Sequence, residues 1–592
     1  MNRGLRNSAR CVGAVAVASW FGWVSACGGA EESSFPNASA GSAGSAGLGG
    51  ADGGDPDVAQ GGGGSAGATA GGSGGQGGSG GQGGSAGQGG SAGQGGASGQ
   101  GGSAGQGGVA GQAGSAGAGG SPGLVPAIGT EFWAVDLPNE RPNPTTSTPA
   151  SQMPWGVLVM NPGAQPAAIK IEQNNAPVGQ APNLVTTTTV TVAAHGAEKV
   201  SLPTREVTGW TPATQDPPGP PMTFLSSNAF RITSDQPVSV VQLNTLENYF
   251  SSDGALLLPA ASLGGLYTIL GFPTSNPVAI GPPMASIPDH ASITIVGTAA
   301  GTSVKVTAGA PIVGNGGSIA NTPKGGVINA TLGAFDVLNL ASDGLPGDLT
   351  GTIVEANHPV AVFTSAERGA LPAGLTPPTP PGFSDTCCTE HVEEQVRKES
   401  ISGTSFVIAH SAWRSDGGFH EPDMLRFMAL SSAAQITTNL PAPLDSFTLQ
   451  PGEVRDTWTI GDAVVSSTAP IALGQLFASK GYTTKGLGDP SFTLLPPVSD
   501  HRKDYVFFVP DGWTENHISI SSPSGNGIQL DGAGLPSTCD KSDAGTIGTV
   551  AYEAIRCPLS AGKHTLLGAM PMAVLVHGYA VASAWSYAVA GM

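Results

Sequence analysis

A short strand pattern that begins with a proline returns four times in this chain, and it constrains the fold more than any other feature. Residues 234–243 alternate as a β-strand does, and Pro237 stands at the entry, where its missing backbone N–H costs least. The other copies start at Pro359, Pro470 and Pro571, so that successive prolines are 122, 111 and 101 residues apart. This spacing predicts four related units, each about as long as one domain.

A second feature follows the first in the same order. After the Pro237 strand comes an apolar run that ends at Pro259, followed by the aromatic strand 266–270. After the Pro470 strand, residues 489–496 and 504–509 repeat that order. We therefore expect a connector after each proline strand to lead into the aromatic first strand of the next unit. The predicted units are approximately 129–252, 253–386, 387–488 and 489–592.

Short alternating segments, interrupted by Asn-Pro, Pro-Gly and Ala-Pro about every ten residues, fill the region 128–592. Amphipathic helix patterns are nearly missing from it. The pattern indicates an all-β fold with about four tandem β-sandwich-like repeat units. The alternative is a β-propeller-like arrangement, although propeller blades are usually shorter.

Residues 1–27 have the composition of an export signal. Arg3, Arg6 and Arg10 supply the positive end, and residues 12–24 are an apolar segment short of a comfortable membrane span. The segment ends in Val-Ser-Ala-Cys, which resembles the lipobox of bacterial lipoproteins, so we expect Cys27 to carry a lipid. The alternative is an ordinary cleaved signal with an incidental cysteine.

Residues 28–127 are predicted to be a disordered linker. Gly, Ser, Ala and Gln dominate the segment, which has almost nothing to bury. A flexible chain of about 100 residues has a root-mean-square reach on the order of 50–60 Å, so the linker would hold the body away from a membrane. Residues 101–105 fit the Gly-x-Ser-x-Gly hydrolase pattern, but no apolar strand precedes them, and that context is what gives the pattern meaning.

The charge balance limits the possible partners. The chain carries 23 Lys and Arg against 42 Asp and Glu, a net charge of −19, and most of the acidic residues lie in the body. Nucleic-acid binders need clustered Lys and Arg, so we expect no nucleic-acid partner. No later segment is apolar for 18 residues, which leaves the N-terminal lipid as the expected membrane contact.

Four cysteines lie in the body, and an even number in an exported protein favours disulfides. Three pairings are possible, and we favour Cys539 with Cys557. The adjacent Cys387 and Cys388 would then form a vicinal disulfide or remain thiols. Cys-x-x-Cys spacing is missing, so no metal site is predicted from the cysteines.

The best candidate for acid–base chemistry is a cluster of His391, Glu393 and Glu394. His-x-Glu is the first half of the zinc-deaminase signature, but the Pro-Cys-x-x-Cys half does not follow, and the sequence is not His-Glu-x-x-His. The cluster lies in the connector between two units. We therefore interpret it as a structural element of that junction, with a ligand or metal patch as the alternative, and we predict no catalytic residue and no cofactor.

A second polar group combines His410 and His420 with Glu421 and Asp423. Its members follow no fixed spacing. The interpretation is a solvated loop, and the alternative is a cation or glycan site.

Several of these segments carry a family resemblance. Residues 129–133, 229–232, 256–259, 388–395 and 488–492 resemble the IgGFc-binding protein N-terminal domain family, and the resemblance extends over about 129–592. Together with the lipobox and the linker, it indicates a bacterial lipoprotein member of the myxobacterial type. The family has no established catalytic residues, and its animal member binds Fc, which this chain has no evident reason to meet.

The resemblance and the lipobox lead to one expected function. We expect a lipid-anchored binding or adhesion protein without catalytic activity, in the outer membrane or at the cell surface. Its ligand would be an extracellular protein or glycan. The alternatives are a secreted or surface hydrolase acting on extracellular polymers, and a purely structural envelope spacer.

Overall fold

The computed structural model describes residues 127–140, 150–210, 222–248, 251–274, 289–344, 346–369, 371–372, 374–383 and 389–592. The predicted signal, linker and lipidation site at Cys27 lie outside these residues, as do Cys387 and Cys388. Within the described ranges the structure is built from 31 β-strands and five short 3-10 helices. None of its helical segments is long and apolar enough to cross a membrane.

The strands form four antiparallel sheets that follow one another along the chain, which confirms the predicted all-β class. The first sheet contains β1 (Gly129–Ala134), β2 (Trp155–Asn161), β3 (Ala167–Asn174), β4 (Leu184–Val192), β5 (Gly196–Leu202), β7 (Phe230–Asn244) and β8 (Asp253–Leu257). The second contains β6 (Phe224–Ser226), β9 (Gly264–Thr268), β10 (Ala291–Gly297), β11 (Thr302–Thr307), β12 (Ile312–Val313), β13 (Val327–Leu332), β14 (Val337–Ser342), β15 (Ile353–Gly369) and β16 (Glu390–Gln395).

The third sheet contains β17 (Gly403–Ile408), β18 (Asp423–Ala429), β19 (Ala434–Thr438), β20 (Ser446–Leu449), β21 (Val454–Thr459), β22 (Ala463–Leu476) and β23 (Phe492–Leu494). The fourth contains β24 (Arg502–Val509), β25 (Glu515–Pro523), β26 (Gln529–Leu530), β27 (Ala533–Gly534), β28 (Asp540–Ile547), β29 (Val550–Leu559), β30 (Gly562–Ala580) and β31 (Ser583–Ala588). The 3-10 helices are Ala150–Gln152, Ala260–Ser262, Glu399–Ile401, Lys480–Tyr482 and Val498–Asp500.

The four proline strands take the same place in the four sheets, as the repeat predicts. They are β7, β15, β22 and β30, and each is the long strand that pairs with four other strands of its sheet. Its first half pairs with the first strand of the sheet (β1, β9, β17 or β24), and its second half pairs with the last strand (β8, β16, β23 or β31). Each sheet therefore folds over along its long strand into a sandwich-like unit.

The sequence pattern indicated that each proline stands at the entry of its strand. In the structure the proline lies in the middle of a longer strand. In the first sheet Thr233 faces Glu131 and Val238 faces Gly129, so the long strand has three more residues than its partner at this point. The same offset around the proline recurs in the other three sheets. Because the ladder is interrupted there, the missing N–H of an exposed Pro237 removes no needed bond.

The last strand of each sheet comes after the connector and returns to the long strand. The predicted unit limits at 253, 387 and 489 fall just before β8, β16 and β23. The apolar and acidic connectors of the sequence are therefore the last strands of the preceding sheets.

A glycine lets the segment after the last strand of a unit pack tightly against the first strand of the same unit. Gly129 and Gly403 leave no space for a Cβ, because Pro259 and Pro497 pack on them. In the fourth unit the glycine is on the other partner: Gly591 packs against the side chain of Arg502. In each case the missing Cβ of the glycine lets a side chain of the other segment approach its backbone closely.

The sheets form a closed ring, because each shares a hydrophobic core with the next and the fourth shares one with the first. Aromatic pairs join successive sheets at ring-centroid distances of 4.8 Å (Trp133–Phe335), 5.3 Å (Phe272–Phe492) and 6.0 Å (Phe477–Tyr579). The fourth and first sheets share a core in which Trp585 and Tyr587 join Leu243 and Leu256. At the centre the last strands neighbour one another in the cyclic order β8, β16, β23, β31. Sandwich-like units thus occur in a propeller-like ring.

Candidate functional site

The acidic cluster predicted from the sequence lies at the centre of the ring. It is carried by β16, the last strand of the second sheet, and every residue of that strand is buried. We call Asp253, Glu390, His391, Glu393 and Glu394 the axial cluster; Asp253 starts the neighbouring strand β8. The cluster occupies this place because β16 is enclosed by its own long strand on one side and by β8 on the other.

Asp253, which sequence reasoning did not select, connects three of the four sheets. Its Oδ2 accepts hydrogen bonds from the backbone N–H of Glu393 at 3.1 Å and of Phe492 at 3.2 Å. Its Oδ1 accepts a bond from the Ser491 hydroxyl at 2.6 Å, and that hydroxyl also contacts Ser586 Oγ of the fourth sheet at 2.5 Å. Burial raises the pKa of Asp253 to about 8, because the charged form loses its hydration.

His391 and Glu393 form a buried pair within β16. His391 Nε2 lies 3.2 Å from Glu393 Oε2, which also accepts a bond from Gln242 Nε2 at 3.3 Å. Burial lowers the pKa of His391 to about 4 and raises the pKa of Glu393 well above its ordinary value. Burial thus disfavours the charged form of both groups, and the low pKa of His391 leaves its imidazole neutral at neutral pH.

The two remaining carboxyl groups bind backbone N–H groups of neighbouring strands. Glu394 Oε1 accepts a bond from Leu494 N at 3.0 Å, and Glu390 Oε1 accepts one from the N–H of Ser252 and another from Ser583 Oγ at 3.2 Å. Burial raises the pKa of both carboxyls well above the ordinary value. The axial cluster thus joins the last strands of four sheets, and its residues are at most 4% exposed.

The second polar group is not the solvated loop that the sequence indicated. His410, Glu421 and Asp423 are fully buried, and only His420 is exposed. The reason is that the segment packs between the third and fourth sheets: the carbonyl of His410 accepts a bond from Arg556 Nε at 2.8 Å. Asp423 accepts bonds from the backbone N–H and the hydroxyl of Ser411 at 2.6 and 2.8 Å, which satisfies its buried oxygens.

The cysteine prediction is confirmed for one pair. Cys539 and Cys557 form a disulfide that ties the start of β28 to β29 across the edge hairpin of the fourth sheet. In the described part of the chain, no group of three or more His, Cys, Asp or Glu side chains is arranged to hold a metal ion.

An accessible groove of about 440 Å³ lies on the outer face of the second sheet. We call it the outer groove, and it is lined by alternate residues of β11, β13 and β15: Ser303, Lys305, Asn329, Thr331, Glu355 and Asn357, with Val304, Ala330 and Ala356 beneath them. Lys305 Nζ and Glu355 Oε2 form an ion pair at 2.6 Å, and Asn357 Oδ1 accepts a bond from Ser303 N at 2.8 Å. Sequence reasoning missed the groove, because its only signal is the polar alternation of three strands that are distant in the sequence.

Comparison with known proteins adds one finding. A family model described as IgGFc binding protein matches residues 253–578, from β8 into β30. The matched region includes the axial cluster, the outer groove and the disulfide. No curated protein matches the chain, and no solved structure does.

Proposed function

Because this chain belongs to the IgGFc binding protein family, we propose that it is an extracellular binding protein that recognises its ligand without chemical turnover. The ligand we propose is an extracellular glycan or protein with a polar, uncharged contact surface. The family description names the Fc fragment. We propose the ligand of this chain from a different observation, namely the side chains that line its outer groove.

The observation that carries this proposal is that the axial cluster is buried at the ring centre, whereas the outer groove is accessible. A general acid or base must come within hydrogen-bond reach of the atom whose proton it transfers. Glu390, His391 and Glu393 are buried at the ring centre, where Glu390 and Glu393 accept hydrogen bonds from the neighbouring sheet and His391 contacts Glu393. A hydrolase would need two accessible, converging carboxyls or a nucleophile with its base, and the axial cluster does not serve as such a pair.

The outer groove has the features of a site for polar, uncharged contacts. Its single ion pair, Lys305–Glu355, balances charge within the groove. Hydroxyl and amide groups of Ser303, Thr331 and Asn329 surround that pair and can both donate and accept hydrogen bonds. The alternation of these side chains along three strands places them on one face, at spacings that suit an extended ligand.

The protein is proposed to act at the cell surface, held by a lipid on Cys27 and separated from the membrane by residues 28–127. The basic start, the apolar stretch and the Val-Ser-Ala-Cys end of the first 27 residues support this part of the proposal. The full chain should partition into detergent, and Cys27→Ser should lose that behaviour. Equal partitioning of both forms would remove the anchor from the proposal.

The binding proposal is tested with the full chain on arrays of extracellular glycans and proteins. The test variant is Lys305→Ala combined with Asn329→Ala, and the matched control is Lys170→Ala. Lys170 occupies the equivalent place on the first sheet, since both lysines face the residue four positions before the proline. We expect binding by the native chain, loss of it in the groove variant and retention in the control. Conversion of an arrayed polymer, or equal binding by all three chains, would overturn the proposal.

A further inference from the structure

Strand β4 is an edge strand that has no partner on its outer side among the residues that the structure describes. It is at one end of the strand order of the first sheet, and in the described residues the only strand that pairs with it is β3. Its sequence is Leu-Val-Thr-Thr-Thr-Thr-Val-Thr-Val, in which eight of nine residues are β-branched. Such residues favour the extended conformation, so β4 is well suited to accept a further strand.

The strands at the other ends of the four strand orders have features that discourage pairing. Charged side chains occur in β5, β21 and β28, and β12, β20 and β27 are at most four residues long. The uncharged β13 has six residues and includes Asn329 and Ala330, which are poor strand formers. Short length and charge are the usual protection of sheet edges. With nine residues, no charge and no proline, β4 has neither protection.

The exposure of β4 has an energetic consequence. Thr189 and Thr191 are exposed, and Thr188 and Val190 are half-buried, so this part of β4 is open to solvent. An edge also presents a row of N–H and C=O groups that a further strand would satisfy. A bulge at Thr187 interrupts the ladder with β3, but the five residues from Thr188 to Val192 pair regularly. This regular stretch is the part of the edge on which a second strand can form a continuous ladder.

We propose that β4 pairs antiparallel with β4 of a second copy of this chain. An antiparallel pair of identical strands is related by a two-fold axis, so each residue must be compatible with its own strand. The stretch Thr-Thr-Val-Thr-Val meets this condition. With Val190 on the axis, Thr189 of one copy faces Thr191 of the other, and Thr188 faces Val192. Such Thr–Thr and Thr–Val pairs stabilise a sheet, and no like charges meet. Two first sheets would thereby join into one continuous sheet.

The test uses two differently tagged forms of the full chain, expressed together and extracted in mild detergent. One variant carries Thr189→Lys with Thr191→Lys, and the other carries Thr189→Glu with Thr191→Glu. Both positions are exposed on the outer face of β4, so that the charges enter solvent in a single copy. The control carries Ser446→Lys with Thr448→Lys, two equally exposed positions of the edge strand β20. Thermal unfolding of every variant verifies that the fold is retained.

The expected result is a pattern that only the β4 interface produces. Native copies and control copies should each capture their own kind. The Lys form should lose capture of the Lys form and the Glu form that of the Glu form, because like charges face each other across the axis. The Lys form should capture the Glu form. Failure of native copies to capture each other, or capture that is equal in all combinations, would overturn the proposal; ligand binding by the outer groove is unaffected in either case.

Discussion

Four of the five residues of the axial cluster lie on the same sheet as the outer groove, and both sites contain carboxyl groups, yet one site is buried and the other is exposed. Glu393 on β16 is fully buried and shares its hydrogen bonds with Gln242 and His391. Glu355 on β15 is 46% exposed and pairs with Lys305. The comparison teaches that position in the ring, rather than residue type, separates the carboxyls that join units from those that can meet a ligand.

The difference follows from where each strand lies. The last strands meet at the ring centre, so side chains there are enclosed by four sheets and must satisfy one another. β11 and β13 lie on the outside, where alternate side chains enter solvent.

Replacing Asp253 should have the largest effect on stability. Asp253→Ala would leave two backbone N–H groups and the Ser491 hydroxyl without their acceptor, at a cost of about 2–4 kcal/mol in the free energy of unfolding. Asp253→Asn keeps an acceptor oxygen in the same place and should cost clearly less. Urea unfolding of the full chain measures both. If the alanine variant were as stable as the native chain, the axial cluster would not join the units.

Single changes elsewhere in the axial cluster should cost less, because fewer partners depend on each group. His391→Ala and Glu394→Ala should each lower the free energy of unfolding by about 1–3 kcal/mol, since each leaves a buried partner unsatisfied. Ligand binding should persist in both variants. A variant that kept its melting temperature but lost a hydrolytic activity would instead place catalysis at the ring centre.

The dependence of stability on pH should distinguish the two regions. The folded pKa of Asp253, about 8, is above its unfolded value, so its stabilising contribution is complete below about pH 4 and is lost as the pH rises through 8. The raised pKa values of Glu390, Glu393 and Glu394 act in the same direction. His391, with its pKa lowered to about 4, acts oppositely and only as the pH falls from about 6.5 to 4.

We therefore expect the native chain to lose stability between pH 6.5 and 8.5 more steeply than Asp253→Asn does. The difference in slope should be up to about 1.4 kcal/mol per pH unit, the limit for one proton. Melting temperatures across this range provide the measurement, and Lys305→Ala is the control that leaves the slope unchanged. Parallel curves for the native chain and Asp253→Asn would contradict the assignment of a neutral Asp253 to the folded state.

More of the fold than of the candidate site could be predicted from the sequence. The Pro237, Pro359, Pro470 and Pro571 pattern identifies the long strands, because alternation and proline placement are local properties of the chain. The prolines nevertheless lie in mid-strand, and the last strands return to the preceding sheet, since strand pairing depends on tertiary packing as well as on the local sequence.

The candidate site is formed by hydrogen bonds between strands that are distant in the sequence, and no local sequence pattern predicts such contacts. His391, Glu393 and Glu394 were selected for their chemistry, but Asp253, 140 residues before Glu393, is what links them to two other sheets. Burial of His410 and Asp423 likewise comes from Arg556 and the fourth sheet. Both clusters are polar in sequence and buried in the ring, because their hydrogen-bond partners come from distant strands.

The smallest effect on stability should come from the ion pair of the outer groove. Lys305 and Glu355 are 50% and 46% exposed, so water competes for both charges and salt screens them. Lys305→Ala and Glu355→Ala should each change the free energy of unfolding by about 0.5 kcal/mol or less, and a double-mutant cycle should give a coupling of the same size that shrinks at high salt. A coupling well above this range would mean that the groove supports the ring as the axial cluster does, and the separation between the two regions would then fail. A small coupling with a lost ligand would assign the pair to recognition, since an interaction that contributes little to folding can still position a ligand's polar groups.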